Sequence, residues 1–355
     1  MTQDTRQLSV GYLGWSGNGN LGDDALHEVV ANLLPGTAFV SVAHTVGGVA
    51  GHLLAGDVRG RATRPLVLGG GTAVGRANWR AVLAVSRLVA GGRRHLVGVG
   101  VEDPAFQGRN SFSGPHELAR WRRPLAGFER VTVRGPRSAA LLAEVGVDAT
   151  VVGDPALLLT PPDGLVAAEA GSGPIAVSLG YGDDLWGHDH EALLRCVTEA
   201  ARSWVADGHR IRCVVLNDTD LVHAEQLAAA LPTGSCEIVR TVTTAEFFVA
   251  VSSCRAMVSE RLHAGVLAAA AGVPVVMLEY QPKCRDFMES VGLGDQCLRV
   301  DRVRPAELVE AVVRAAGPDP VARMNGQVAA LRSALREEVA LLAESVLGAP
   351  RPVRS

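Results

Sequence analysis

The chain has 355 residues, 48% of them hydrophobic and 20% charged, with a formal net charge of -3. That length exceeds the usual size of one hydrophobic core and predicts two domains. The charge balance gives no electrostatic reason to expect nucleic acid or an anionic membrane surface as a partner.

The first residues, MTQDTRQLSV, hold no cationic stretch followed by an apolar core. No secretory signal is therefore expected, and the cytoplasm is the expected location. An apolar run, LSVGYLG (8–14), leads into the glycine-rich turn WSGNGNLGDD and then into a segment whose Leu26, Val29, Val30 and Leu33 recur at helical spacing. Glycines between strand and helix let a ligand approach the backbone, and helix N-terminal amides favour anions. Asp23 and Asp24 already occupy that positive end, where their plain role is capping. Carboxylates there repel phosphate, so Asn18, Asn20, Gly22, Asp23 and Asp24 suit the hydroxyls of a sugar better. The glycines do not make a dinucleotide-binding fingerprint.

PLVLGGG (65–71) is a second strand entering glycines, with Gly70 and Gly71 either approached by a ligand or forming a tight turn. HLVGVGVE (95–102) and RVTVRG (130–135) are further strands, and PRSAALLAEVG (136–146) is a helix closed by glycine. Arg134 ends its strand, either facing a cleft as an anion clamp or pairing at the surface with Glu129. Asp154 closes the next strand and is expected to order an interdomain hinge. Short strands alternating with helices mean a parallel sheet covered on both faces.

The pattern fades over LLLTPPDGLVAAEAGSGP (157–174), the expected linker, and then restarts. Strands are expected at 175–180, 210–217, 236–240, 256–259 and 273–279, with helices at 191–206, near 222–231, and at 244–253 and 262–271. The expected organisation is therefore a first domain over 1–160 and a second over 172–347. A helical tail over 321–347 would pack across the domains or between subunits, and 348–355 is expected to be disordered. The longest apolar run, 264–278, has 15 residues and contains Pro274, too short and broken to span a bilayer. The six cysteines, Cys196 through Cys297, make no CxxC pair and show no zinc-ligand spacing. Reduced thiols and no structural metal are expected.

In the second half, cations stand at the carboxyl ends of two neighbouring strands. Arg261 and His263 follow AMVS, and Tyr280, Lys283 and Arg285 follow VPVVMLE. Adjacent parallel strands put both turns on one sheet edge, so Arg261, His263, Lys283 and Arg285 are expected to converge on one anion, with Glu260 and Glu279 orienting them or keeping His263 protonated. WGHDH (186–190) reads as a polar loop rather than a metal site. Cys284, between Lys283 and Arg285, would be activated only if exposed, and nothing supplies a partner base.

The segments GYLGWSGNGNLGDDALHEVV, VLGGGT, VTVRGPRSAALLAEVGV, VVGDPALLL and SERLHAGVLAAAAGVPVVMLEYQPKCRDFMESVGL, in that order, resemble the polysaccharide pyruvyl transferase family over residues 9 to 295. The resemblance implies an α/β fold of two Rossmann-like doubly wound domains facing a cleft, like glycosyltransferases of the B type. It implies phosphoenolpyruvate as donor and a sugar diol as acceptor, giving a pyruvate ketal and phosphate, with no redox cofactor and no tightly held metal. Arg134, Arg261, His263, Tyr280 and Lys283 would bind the donor, with His263 as acid, Lys283 assisting, and Asp23 or Asp24 positioning the acceptor or acting as base. Two departures stand out. Gly180 and Tyr181 occupy the place where the family commonly has an arginine, and AVGRANW follows GGGT in place of an acidic or glutamine-bearing sequel. The second departure, with the Ala/Gly/Arg-rich style, leads to the expectation of a small secondary metabolite rather than a wall polymer as acceptor. The rival readings are a nucleotide-sugar glycosyltransferase and a non-catalytic binding module on the same fold.

Overall fold

The computed structural model describes residues 9–14, 20–33, 37–42, 45–49, 63–106, 108, 114, 116–165, 173–180 and 184–347, with 23, 30, 31, 33, 346 and 347 only through their backbone. Two parallel sheets carry the fold. The first half supplies β1 (Ser9–Leu13), β2 (Ala38–Ser41), β3 (Leu66–Gly69), β4 (Thr72–Val74), β5 (Arg94–Val97), β6 (Gly100–Val101), β7 (Thr132–Val133) and β8 (Thr150–Val151). Four of these form a sheet in the order β2-β1-β3-β5, while β4 pairs with β6 and β7 with β8. The second half supplies β9 (Ile175–Ser178), β10 (Ile211–Val215), β11 (Cys236–Arg240), β12 (Ala256–Ser259), β13 (Val275–Glu279) and β14 (Cys297–Arg299), ordered β11-β10-β9-β12-β13-β14. Strands β9, β12 and β13 are buried at every position, as strands covered by helices on both faces are.

The longer helices of the first half are α1 (Leu21–Leu33), α2 (Ala77–Ser86) and α3 (Pro136–Glu144). Those of the second are α4 (His190–Ala206), α5 (Leu221–Ala229), α6 (Thr244–Val251), α7 (Leu262–Ala270), α8 (Pro282–Ser290), α9 (Pro305–Ala315) and α10 (Pro318–Leu347). Local chemistry starts them. Proline occupies the first turn of α3, α8 and α9, where its missing N–H has no partner to lose. Thr243 and Glu246 form a reciprocal capping box at α6.

Strand order reverses once in each sheet. The chain runs from β1 outward to β2, then returns to the other side of β1 as β3; likewise β9 leads to β10 and β11 before β12 takes the far side of β9. The carboxyl ends flanking such reversals form crevices, because the connecting helices leave on opposite faces. Gly70 follows one reversal, and Gly180 and Arg261 flank the other.

The domains are bonded as well as linked. Leu21 and Leu26 of α1 belong to the same buried apolar cluster as Leu262, Val266 and Leu267 of α7 and Leu331 and Leu335 of α10. Helix α7 is buried on nearly every side, which explains a sequence apolar all round rather than on one stripe. The expected tail helix starts earlier than read, at Pro318, and crosses back to the first domain. Arg332 donates to the carbonyls of Leu157 (2.6 Å), Leu159 (3.0 Å) and Ala270 (2.8 Å), and Glu338 pairs with Arg130 at 2.6 Å. The expected linker begins as ordered structure, with Leu157 in a buried helical turn over Pro155–Leu158. Residues 166–172 and the tail 348–355 lie outside the described residues.

Candidate functional site

Between the carboxyl ends of the two sheets lies a cavity of about 360 Å³. Asn20, Gly70, Gly71, Thr72 and Arg134 line it from the first domain, together with Arg76, Asn78 and Trp79 at the start of α2. Leu216, Arg261, Leu262, His263, Tyr280 and Lys283 line it from the second. Among these residues no aspartate or glutamate reaches the wall; four cations do.

Three of those cations have carboxylates behind them. Arg76 donates through Nε to Glu102 at 2.7 Å. Arg261 grips the buried Asp220 with two nitrogens, Nε at 2.9 Å and Nη2. Arg134, fully buried, stands 3.7 Å from Asp154 and 3.7 Å from Asp286, and its Nη2 donates to Thr72 Oγ1 at 3.2 Å. Its Nε and Nη1 make no hydrogen bond. Such a group is costly to bury unless its donors have a use. Lys283 differs. Among the described residues no carboxylate pairs with it, and its Nζ lies 4.8 Å from the Tyr280 ring centroid, over the electron-rich face. Burial pushes the ammonium down to about 8, and the charges of Arg76 and Arg134 push the same way.

His263 enters at the second position of α7, immediately behind the strand end that carries Arg261. Its Nε2 is 3.9 Å from Asp154 Oδ2. On its other side is Gly22: a Cβ there would collide with the imidazole ring. Gly22 thus shapes the site by leaving room for His263, and is not itself on the cavity wall. Gly70, at φ 64°, backs onto Leu26 in the same way. Asn20 combines two placements, lining the cavity and accepting the Gly22 N–H through Oδ1 at 3.2 Å, as residues preceding a helix do.

The cavity therefore gathers Arg134, Arg261, His263, Tyr280, Lys283, Asn20, Gly70 and Gly71. Other expectations are corrected. Asp24 lies in α1 one turn past Asn20, to which its N–H bonds, and does not line the cavity. Asn18 and Tyr181 fall outside the described residues, and so does the Asp23 side chain. Arg285 turns away, binding Glu279 and the carbonyls of Gly294 and Cys297. Glu279 is thereby consumed by Arg285. Glu260 accepts from Gly180 N (2.7 Å) and faces His190 (3.4 Å) rather than His263; the carboxylate beside His263 is Asp154. That same Asp154 caps Ala156 (3.0 Å) and faces Arg134, so it serves the site as well as the chain crossing between domains. Glu129 pairs with Arg93, not Arg134. Cys284 is buried, which pushes its thiol up to about 12 and leaves it unreactive. At 180, a side chain would press on Arg261, 3.2 Å from its Nε, so the glycine lets Arg261 lie flat against the strand end. Among the described residues no group of three potential ligands could hold a metal ion.

Arg76, Asn78 and Trp79 were not legible as site residues. They follow a glycine turn with no periodic signal, and only the cation directly after a strand-turn pair, Val74-Gly75-Arg76, hinted at it.

The fold is that of known sugar-nucleotide proteins. A putative UDP-N-acetylglucosamine 2-epimerase from Listeria monocytogenes superposes with a TM-score of 0.60 at 11% identity, covering 98% of each chain. The UDP-GlcNAc 2-epimerase of Methanocaldococcus jannaschii gives 0.55 at 11%, over 87% of this chain and 92% of that one. CalG4, the calicheamicin glycosyltransferase, gives 0.52 at 17%, over 98% and 100%. These likenesses establish two Rossmann-like domains of the glycosyltransferase B type. No curated protein is significantly similar in sequence. The model of one family, polysaccharide pyruvyl transferase, matches residues 20–282, from the Asn20 that opens α1 to the Pro282 that opens α8. The span holds every lining residue of the cavity but Lys283, which follows at the next position, and the chain belongs to the polysaccharide pyruvyl transferase family.

Proposed function

We propose that this transferase moves pyruvate from phosphoenolpyruvate onto two hydroxyls of a sugar or sugar-like diol, forming a ketal and releasing phosphate. The observation that carries this reading is a cavity wall with four cations, a histidine and, among the described residues, no carboxylate. Phosphoenolpyruvate bears a carboxylate and a phosphate one carbon apart, and clustered guanidinium groups recognise both in two-pronged geometry.

The chemistry balances with His263 as the principal proton carrier. His263 delivers a proton to the methylene carbon of the donor, building positive charge at the adjacent carbon. A hydroxyl of the acceptor adds there and returns its proton to His263. The bond from that carbon to the phosphate oxygen breaks, and the second hydroxyl closes the ring, its proton leaving with phosphate. Both cationic walls stabilise the departing phosphate where its charge develops. No carboxylate base is needed on the wall, which removes the demand placed on Asp24. Asn20, Asn78 and Trp79 offer the acceptor amide groups and an indole edge on the first-domain side.

The test is incubation of the full chain with phosphoenolpyruvate and a panel of glycosides carrying adjacent or 1,3-related hydroxyls, including small glycosylated metabolites. The expected result is phosphate release matched by an acid-labile pyruvate ketal, abolished in His263→Ala. Transfer of a sugar from a nucleotide sugar, with no ketal, would make this a glycosyltransferase instead.

A further inference from the structure

We propose that Arg76 binds the phosphoryl group opposite Lys283, so that this anion is held by one cation from each domain. The inference rests on the phosphoenolpyruvate reading above and extends it to a residue outside the strand-end cluster.

Arg76 and Lys283 line the same cavity from different domains. Arg76 is positioned by backbone rather than by chance rotamers. Gly75, at φ 92°, makes the turn, and a Cβ there would lie 3.0 Å from the Cβ of Glu102 and 3.3 Å from its backbone, so the chain passes close against the residue that carries the carboxylate. Glu102 is buried and takes only Nε of Arg76, at 2.7 Å. Both Nη groups of Arg76 have no hydrogen-bond partner among the described residues, while the side chain keeps 27% exposure at the cavity. That leaves two donors in the fixed geometry that matches two phosphate oxygens. Arg261 is more fully engaged, by both oxygens of Asp220, and Arg134 is fully buried between two aspartates at 3.7 Å, so its charge is offset on both sides.

The facing ammonium reports the same arrangement. Among the described residues no carboxylate pairs with Lys283, although Glu102 favours its charge from a distance, and Arg76 bears on it ahead of Arg134 among the cations that disfavour its protonated form. Two like charges across a cleft repel until an anion sits between them.

The experiment is calorimetric titration of the full-length wild type, Arg76→Gln, Glu102→Gln and the double variant Arg76→Gln/Glu102→Gln with inorganic phosphate and with phosphoenolpyruvate. Removal of one charge-assisted contact predicts weakening of about tenfold or more for both ligands in Arg76→Gln. The double variant, which leaves no unpaired buried carboxylate and so guards against misfolding, should weaken equally. Glu102→Gln should bind phosphate at least as tightly as the wild type. If Arg76 serves only to neutralise Glu102, Arg76→Gln will still weaken binding, through the carboxylate left bare, but the double variant will bind as the wild type does; that result overturns the inference and leaves the donor reading intact. A wild type that binds neither ligand overturns both.

Discussion

Among the described residues Lys283 is the cation on the cavity wall with no carboxylate paired to it, and its chemistry should dominate the pH response of the site. Its ammonium titrates at about 8, lowered from 10.5 by burial first. An anionic donor favours the charged form, so phosphoenolpyruvate affinity should be full below about pH 8 and fall as pH rises through it. The sign for stability is opposite. Between about 8 and 10.5 the unfolded chain holds the proton that the fold has lost, so the unliganded protein should become more stable as pH rises across that window. Lys283→Met should therefore stabilise the empty protein at neutral pH, by about 1–3 kcal/mol, while weakening the donor. Denaturant melts at pH 7 with a parallel donor titration check both halves; a destabilised variant would mean that Lys283 is held by interactions other than these.

Among the elements, α1 and α7 meet where Gly22 abuts His263, and this contact limits where the imidazole can sit. Gly22→Ala should push the imidazole off its place beside Asp154, and, because the new Cβ would lie 2.5 Å from the histidine's own Cβ, should also strain the contact between the helices by about 1–3 kcal/mol. Turnover of the folded variant should fall by tenfold or more, of the order seen for misplaced catalytic groups, with a modestly lowered melting temperature. Equal activity in the variant would show that His263 has slack. The same scale explains what could be read in advance. Arg261, His263 and Lys283 were legible because neighbouring parallel strands must end on one edge, and a cation there has few other uses. Arg285 was misassigned because Pro282 opens a helix rather than extending a turn. Positions 283 and 285 then lie about 200° apart around the axis and cannot share a face. Glu260 was misassigned for a related reason: it follows β12 directly and points under the strand ends to Gly180 and His190. Asp24 sits a full turn into α1. Arg76 needed the tertiary fold, since only the reversal at β1 and β3 brings its turn over the second sheet.

At the scale of the whole molecule, two strand-order reversals face each other, and α10 returns across the divide to tie them together through Arg332 and Glu338. Helices α3 and α8 add a second tie on the far side of the cavity: Asp286 accepts from Ser138 N (3.0 Å) and Oγ (2.7 Å), and Glu289 takes Arg137 in two-pronged contact. Asp286 lies three residues past Lys283 and also faces Arg134, so the helix that presents the lysine is the one that fastens the first domain. Among the described residues no helix is long and apolar enough to cross a membrane. The two-domain architecture is shared with sugar-nucleotide enzymes, so the donor is the point at which the account stands or falls. The direct measurement is calorimetric titration of the full chain with phosphoenolpyruvate and, separately, with uridine diphosphate. Saturable binding of phosphoenolpyruvate, lost in Lys283→Ala and Arg261→Ala, is expected, with no comparable binding of the nucleotide. Tight binding of uridine diphosphate with none of phosphoenolpyruvate would contradict it.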